Sequence, residues 1–168
     1  MLNRRKFLGL SIGVAAAAMI PATLSATDFR ATKPGAWRGP NATKIDSAMK
    51  ELYGTSNTTE AKVKLKAPSI AENGALVPIQ VSTKLKGKSV AIFQDANPES
   101  LVAVFTVPNN GIIDYKLRIK MAKTGTVKAV VNVDGKLYSA STLVKVTAGG
   151  CGGWFNRPQK FKDKIYIK

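Results

Sequence analysis

Residues 113–121 read IDYKLRIKM, in which apolar and polar side chains alternate at every position. Because successive side chains of a β-strand point to opposite faces of a sheet, this period of two predicts a strand with one buried face. Residues 62–66, KVKLK, repeat the pattern. We interpret the lysine rows as solvated outer faces and protected sheet edges, or alternatively as surfaces that attract a small anion or an acidic protein.

Further strands are predicted along the rest of the chain, at residues 76–83, 89–93, 101–107, 127–133 and 137–146. Turn signals separate them, and Asp134-Gly135 predicts a tight hairpin. Pro78 cannot donate to a strand ladder, so it predicts an edge strand or a bulge. About seven strands without intervening helices favour an all-β, immunoglobulin-like antiparallel sandwich, with a barrel as the other arrangement that fits the pattern.

One short helix is predicted ahead of the strands, in residues 44–54. Ile45, Met49 and Leu52 recur there at helical spacing. Thr43 or Asp46 is a candidate for the N-terminal cap, and Gly54 predicts the end of the helix.

Composition excludes much familiar chemistry. The 168 residues contain no His and one Cys, so imidazole-based metal centres and Ser-His or Cys-His nucleophile pairs are absent. One thiol closes no disulfide within the chain and completes no zinc site. We therefore expect no metal, no cofactor-binding residues and no catalytic residues of the protein's own. The net charge is +16, but the basic residues are spread along the chain and we expect no nucleic-acid partner.

Residues 1–26 have the pattern of a twin-arginine signal peptide. Arg4 and Arg5 precede an uncharged run of 14 residues that ends at Ile20, which is shorter than the roughly 20 residues needed to cross a bilayer. We expect cleavage near Ala26, a periplasmic protein exported in the folded state, and no stable membrane anchor. An uncleaved N-terminal membrane helix is the competing interpretation. Removing the three positive charges of this segment leaves a net charge of +13.

Residues 149–153 carry the only thiol of the chain, as Gly149-Gly150-Cys151-Gly152-Gly153. A lone cysteine is commonly a small buried hydrophobe, but four flanking glycines supply no apolar side chains to bury it. Glycine also gives the backbone wide conformational freedom. We therefore predict a flexible arm, in which Gly149, Gly150, Gly152 and Gly153 provide the flexibility and Cys151 is the point of covalent attachment for a substrate.

The chain resembles the SoxY family, the sulfur carrier subunit of the bacterial thiosulfate-oxidising Sox system. The resemblance covers the twin-arginine signal and, in order, residues 67–78, 97–105, 118–122, 134–136 and 144–148 ahead of the glycine-cysteine motif. It implies an immunoglobulin-like sandwich that forms a heterodimer with a SoxZ-like sandwich partner exported together with it.

The resemblance also implies a cycle on Cys151, in which the protein is a carrier and not an enzyme. A haem-containing enzyme joins thiosulfate to the thiol, a hydrolase releases sulfate, and in some organisms a sulfane dehydrogenase oxidises the remaining sulfur. Lys145, close to the arm, is a minor candidate for favouring the anionic cargo. The alternative from the residues alone is an exported basic sandwich that acts as a structural or binding module, with Cys151 forming only intermolecular disulfides.

The chain departs from the family pattern after the motif, because residues 154–168 follow it. They carry five basic residues, one acid and four aromatic residues. A docking tail, a segment trimmed after export and a functionless extension all fit this composition. The predicted organisation is thus a signal peptide at 1–26, an N-terminal segment with the short helix at 27–60, the sandwich domain at 61–148, the cysteine-bearing arm at 149–153 and the basic aromatic extension at 154–168.

Overall fold

The computed structural model describes residues 27–147, and within them two β-sheets pack face to face. The larger sheet has the strand order β1-β9-β8-β5-β6, with β3 also paired to β9, and the smaller sheet has the order β2-β4-β7. The strands are β1 (Thr59–Glu60), β2 (Val63–Lys66), β3 (Ile70–Ala71), β4 (Val77–Thr83), β5 (Ser89–Gln94), β6 (Leu101–Thr106), β7 (Ile113–Ile119), β8 (Gly125–Val133) and β9 (Lys136–Val146).

All seven predicted strands are confirmed, with ends within two residues of those expected. The two additional strands, β1 and β3, have two residues each and pair parallel to β9, whereas the longer strands pair antiparallel. Two residues are too few to display a period of two, so these strands leave no signal in the sequence. The predicted β-sandwich is confirmed.

The Asp134-Gly135 hairpin is also confirmed. Val133 pairs with Lys136 around a two-residue loop, and both loop residues have positive φ, 50° for Asp134 and 88° for Gly135. Aspartate and glycine tolerate this left-handed conformation, and it matches the twist of the flanking strands. The Lys88 ammonium lies 2.8 Å from the Asp134 carboxylate, which raises the pKa of Lys88.

The N-terminal part of the described chain is helical. A single turn, α1 (Phe29–Thr32), and two short 3-10 turns precede α2 (Ile45–Tyr53). Gly54 ends α2 with φ of 79°, as predicted. The predicted caps are wrong: Lys44 occupies the cap position without a side-chain hydrogen bond, and the Thr43 hydroxyl instead donates to the Pro40 carbonyl, 3.0 Å away.

Two apolar clusters stabilise the fold. The main cluster fills the space between the sheets and includes Val81, Ile92 and Val127. The second lies on the opposite face of the larger sheet, where Met49 and Leu52 of α2 pack with Phe93. The helical segment is therefore a third layer, and it covers part of the outer face of the larger sheet.

The prediction that Pro78 lies on an edge strand or at a bulge is wrong, since β4 is the central strand of the smaller sheet and its register with β7 runs through Pro78 without a shift. The pairing with β2 ends at Lys66 opposite Gln80, so at Pro78 only the β7 side is paired, opposite Arg118. Because β2 ends before it reaches Pro78, the central strand can contain a residue that has no N–H to donate on that side.

The outer face of the smaller sheet is solvated, as the lysine rows predict. Lys64, Lys66, Lys116 and Arg118 are exposed there. Among residues 27–147, no helix has both the length and the apolar character needed to span a membrane.

Candidate functional site

The candidate site is the end of the sandwich from which the cysteine-bearing arm departs. Cys151 and the glycines at 149, 150, 152 and 153 lie outside the described residues, as do the signal segment 1–26 and the extension 154–168. The last described residue, Thr147, follows β9 directly and precedes Cys151 by four positions. The structure therefore defines the base of the arm.

Hydrogen bonds fix the last residues of β9 on one side. The Lys145 amide donates to the Ser69 carbonyl at 2.9 Å, and the Thr147 amide donates to the Ala71 carbonyl at 3.2 Å. These bonds are the parallel pairing with β3, so the two-residue strand anchors the arm up to its point of departure.

A second contact holds the other side of β9. The Val146 amide donates to the Thr124 hydroxyl oxygen at 3.0 Å. Thr124 belongs to the loop ahead of β8, so the base of the arm is held from both neighbours in the larger sheet. The chain is therefore anchored to the sandwich as far as Thr147.

The turn at residues 72–76 packs closely against this base. The Met121 amide donates to the Gly74 carbonyl at 2.7 Å, and the Ala75 amide donates to the Asn73 side-chain oxygen at 2.9 Å. A Cβ added at Gly74 would collide with the Met121 carbonyl and lie 2.9 Å from a methyl group of Val146. Gly74 is therefore required by close backbone approach and not by a positive φ.

Asn97 joins two further loops at the same end. Its side-chain amide donates to the Lys120 carbonyl at 2.8 Å, and its side-chain oxygen accepts from the Ala122 amide at 2.8 Å. In the sequence, Asn73-Gly74 and Asn97-Pro98 indicate only turns. Their hydrogen bonds to chain segments far away in sequence could not be read from that signal.

The surface around the base combines exposed apolar and basic side chains. Ile70, Leu76 and Leu143 are each more than half exposed, and Lys145 is exposed between the positions of Leu143 and Thr147. The one ion pair among residues 27–147, Lys88 with Asp134, lies at the opposite end of the sandwich. Glu72 is also exposed beside the base, where its carbonyl accepts from the Thr147 hydroxyl, so the surface near the arm is partly apolar and carries charges of both signs.

The stretches that carry the resemblance converge on this end. Residues 67–78, 97–105, 118–122 and 144–147 supply the strand ends and loops just described, whereas the hairpin at 134–136 lies at the far end. Within the described part of the chain, no three His, Cys, Asp or Glu side chains are grouped so that they could hold a metal ion.

The family model for the sulfur oxidation protein SoxY matches residues 49–151. The chain belongs to the SoxY family. The matched region begins within α2, contains the whole sandwich and ends at Cys151. Residues 152–168 lie beyond it, which agrees with the departure from the family pattern noted in the sequence.

One solved structure agrees with this assignment. The sulfur carrier protein SoxY from Chlorobium limicola f thiosulfatophilum is 42% identical over 63% of this chain and 98% of that chain, with a TM-score of 0.57. A superoxide reductase (neelaredoxin) from Ignicoccus hospitalis is 16% identical over 52% of this chain and 81% of that chain, with a TM-score of 0.47, and nothing about this SoxY protein follows from it. No curated protein matches the chain.

Proposed function

We propose that this SoxY protein is a covalent carrier of sulfur intermediates in periplasmic thiosulfate oxidation. The intermediates are joined to the Cys151 thiol and presented to separate enzymes, and the carrier itself catalyses no step. The observation that carries the proposal is the family match over residues 49–151, which extends to the only cysteine of the chain. The 42% identical neighbour, described as a sulfur carrier protein, supports the same role.

The base of the arm supports a carrier role on geometric grounds. Thr147 is hydrogen-bonded to Ala71 on the folded body, and Cys151 follows it by four residue steps. An extended chain advances at most about 3.3 Å per residue, so these steps span roughly 13 Å. A thiol on such a tether can enter the active site of another protein while the sandwich stays outside it.

The loading step balances as an oxidation. The Cys151 thiolate and thiosulfate form a sulfur–sulfur bond, giving a cysteine S-thiosulfonate, and two electrons pass to the haem-containing enzyme. In the next step, water releases the terminal sulfone as sulfate with two protons and leaves a persulfide on Cys151. Both steps need access to the sulfur, and the first needs a thiolate.

The proposal includes partners and a compartment. A SoxZ-like sandwich protein forms the heterodimer, and the haem enzyme, the hydrolase and a sulfane dehydrogenase bind transiently. The twin-arginine pattern of residues 1–26 supports folded export to the periplasm. The only group that the carrier would hold is the sulfur intermediate on Cys151.

Intact-mass spectrometry of the native protein from thiosulfate-grown cells tests the proposal. We expect a mature chain whose Cys151 carries added sulfur or thiosulfonate, and the same measurement reports signal cleavage and the state of residues 154–168. Cys151→Ser should abolish thiosulfate oxidation in a strain without another carrier. Normal oxidation in that strain, or a Cys151 found only as an intermolecular disulfide, would reject the carrier role.

A further inference from the structure

The end of the sandwich opposite the base of the arm combines a protruding apolar side chain with many lysines. We call this end the far tip; it consists of residues 62–64, 84–88, 107–114 and 134–136. Ile112 is 87% exposed there, which makes it the most exposed large apolar side chain among residues 27–147. A single exposed isoleucine is common on protein surfaces, so its surroundings decide whether it has a role.

Ile112 borders a cleft at the far tip. The cleft has a volume of about 530 Å³, and its lining includes both Ile112 and the half-buried Leu85. Lys62, Lys64 and Lys84 line the same cleft. A small apolar surface is thus bordered by ammonium groups.

Lysines dominate the charge of the far tip. Six exposed lysines stand against two exposed aspartates, and the lysines are Lys62, Lys64, Lys84, Lys86, Lys88 and Lys136. Asp134 pairs with Lys88, and the Asp114 carboxylate accepts from the Gln80 side-chain amide at 2.6 Å, further along the smaller sheet. Glu60, just ahead of the far tip, accepts from a serine hydroxyl in the middle of β9. The far tip therefore presents an excess of positive charge to solvent.

Hydrogen bonds hold the loops of the far tip in place. The Thr83 hydroxyl donates to the Lys62 carbonyl at 2.6 Å, and its oxygen accepts from the Leu85 amide at 3.1 Å. The Gly111 amide donates at 2.8 Å to a carbonyl three residues earlier, which closes the turn ahead of Ile112. The lysines and the apolar side chains are therefore displayed from ordered backbone, so little loop entropy is lost when the far tip binds a partner.

We propose that the far tip binds reversibly to the anionic surface of a lipid bilayer. The lysine ammonium groups lie among the phosphate headgroups, and Ile112 and Leu85 enter the boundary between headgroups and acyl chains. Lysine suits this position because its aliphatic stem can lie along apolar surface while its charge stays hydrated. Electrostatic attraction and one small apolar contact give an association that forms and dissociates, so it is not a stable anchor.

An acidic protein is the less suitable occupant. All six basic residues of the far tip are lysines, and lysine is depleted in protein–protein interfaces, where arginine and aromatic residues are enriched. A stable protein interface also buries about 800 Å² on each partner around a well-packed core. Within the described part of the chain, the far tip has one large apolar side chain that is mostly exposed, Ile112.

Binding at the far tip would leave the base of the arm uncovered. Strand β9 runs from Lys136 at the far tip to Val146 at the base of the arm, and ten steps of about 3.4 Å span roughly 34 Å. The base of the arm would therefore face away from the lipid, toward the solution. The proposal goes beyond the carrier role and does not rest on it, because it concerns residues at the other end of the sandwich.

Sedimentation with lipid vesicles tests the proposal, using the chain from residue 27 to residue 168. The vesicles contain equal parts of phosphatidylglycerol and phosphatidylethanolamine, and vesicles of phosphatidylcholine alone are the neutral control. We expect binding to the anionic vesicles only. Binding should weaken as the salt concentration rises, because salt screens exposed charges.

The double variant Lys84→Gln with Lys86→Gln tests the role of the lysines. A lysine close to an anionic membrane contributes about a fivefold gain in affinity, so the double variant should bind about 25-fold more weakly. Lys120→Gln with Lys123→Gln is the matched control, because it removes the same charge from exposed positions near the base of the arm. The control should bind like the wild type.

Ile112→Asp tests the apolar contact, and we expect it to weaken binding about tenfold or more. Leu76→Asp is the matched control at the arm end and should bind like the wild type. Both side chains are more than half exposed, so neither substitution should unfold the protein, and thermal unfolding checks this. Amide hydrogen exchange needs no variant: on anionic vesicles it should slow at residues 84–88 and 109–112 and stay unchanged at residues 120–124.

Unchanged binding by both far-tip variants, equal binding to neutral vesicles or no vesicle binding at all would overturn the proposal. Complete loss of binding after deletion of residues 154–168, which are also basic, would assign lipid binding to that extension and overturn it as well. Binding of soluble polyglutamate through Lys84 and Lys86, without vesicle binding, would identify an acidic protein as the occupant instead.

Discussion

Strands β5 and β7 lie in different sheets and are buried in different ways. All six residues of β5 are buried, whereas β7 alternates between its inner and outer face. The difference comes from the third layer, because α2 covers the outer face of the larger sheet at Phe93 while nothing among residues 27–147 covers the outer face of β7. A strand with two covered faces contributes to stability through both.

The two sheets also differ in what they contribute to the core and to the surface. The larger sheet holds the two apolar clusters together through Ala91 and Phe93 on one face and Val90 and Ile92 on the other. The smaller sheet closes the main cluster but presents a basic face to solvent. We therefore expect substitutions to have very different costs in the two sheets.

The largest expected effect is that of Phe93→Ala. Phe93 is fully buried in the cluster under α2, so its truncation removes a large apolar contact and leaves a cavity. The free energy of unfolding should fall by about 3–5 kcal/mol. Leu117→Ala, on the half-buried inner face of β7, should cost only about 1–2 kcal/mol. Urea denaturation of both variants measures the difference, and equal losses would contradict the three-layer description.

An intermediate effect is expected at alkaline pH from Tyr53, at the end of α2. Burial raises the pKa of Tyr53 to about 12, although its hydrogen bond with Ser89 lowers it somewhat. The phenol of the unfolded chain ionises near pH 10, so the unfolded state binds fewer protons between pH 10 and 12. The contribution of Tyr53 to stability is therefore complete below pH 10 and is lost as the pH rises through 12.

The Tyr53→Phe variant tests this pH dependence of stability. At pH 8 the variant loses the hydrogen bond to Ser89, which lies 3.3 Å from the phenol oxygen, and about 0.5–1.5 kcal/mol of stability. Above pH 10 its stability should fall less steeply than that of the wild type, so the two curves converge. Urea denaturation between pH 8 and 11.5 measures both, and parallel curves would show that the Tyr53 hydroxyl is solvated in the folded protein.

The sequence predicts the burial of β7 better than that of β5. In β7 the alternation identifies both the strand and its solvated face, because charged side chains occupy every second position. In β5 the uncharged run SVAIFQ identifies a strand, but no residue in it indicates which element covers the second face. Contacts between α2 and Phe93 join residues more than 40 positions apart, and a single sequence carries no record of such pairings.

The same limit applies at the base of the arm. The glycine-cysteine motif marks where the chemistry is expected, because four glycines around a lone thiol are unusual for a packed core. The anchors at Ser69, Ala71 and Thr124 are ordinary residue types that act through backbone and hydroxyl hydrogen bonds. Their role depends on the pairing of β3 with β9, and two-residue strands have no periodicity to reveal it.

The smallest expected effect is that of Lys116→Ala on the outer face of β7. Lys116 is exposed, and within the described residues it makes no ion pair. Its neighbouring charges on that face have both signs: Lys66 and Arg118 line a shallow groove of about 800 Å³ with it, and exposed Asp114 lies two residues earlier on the same strand. The free energy of unfolding should therefore stay within about 0.5 kcal/mol of the wild type.

Ionic strength makes the Lys116→Ala measurement decisive. Because Lys66 and Arg118 repel Lys116 while Asp114 attracts it, the difference in stability between variant and wild type should be small at low salt, and it should vanish near 1 M salt, where charges beyond about 3 Å are screened. Destabilisation comparable to that of Leu117→Ala would mean that the outer face of the smaller sheet is covered in solution. In that case the difference in burial between β5 and β7 would hold for residues 27–147 alone and not for the whole protein.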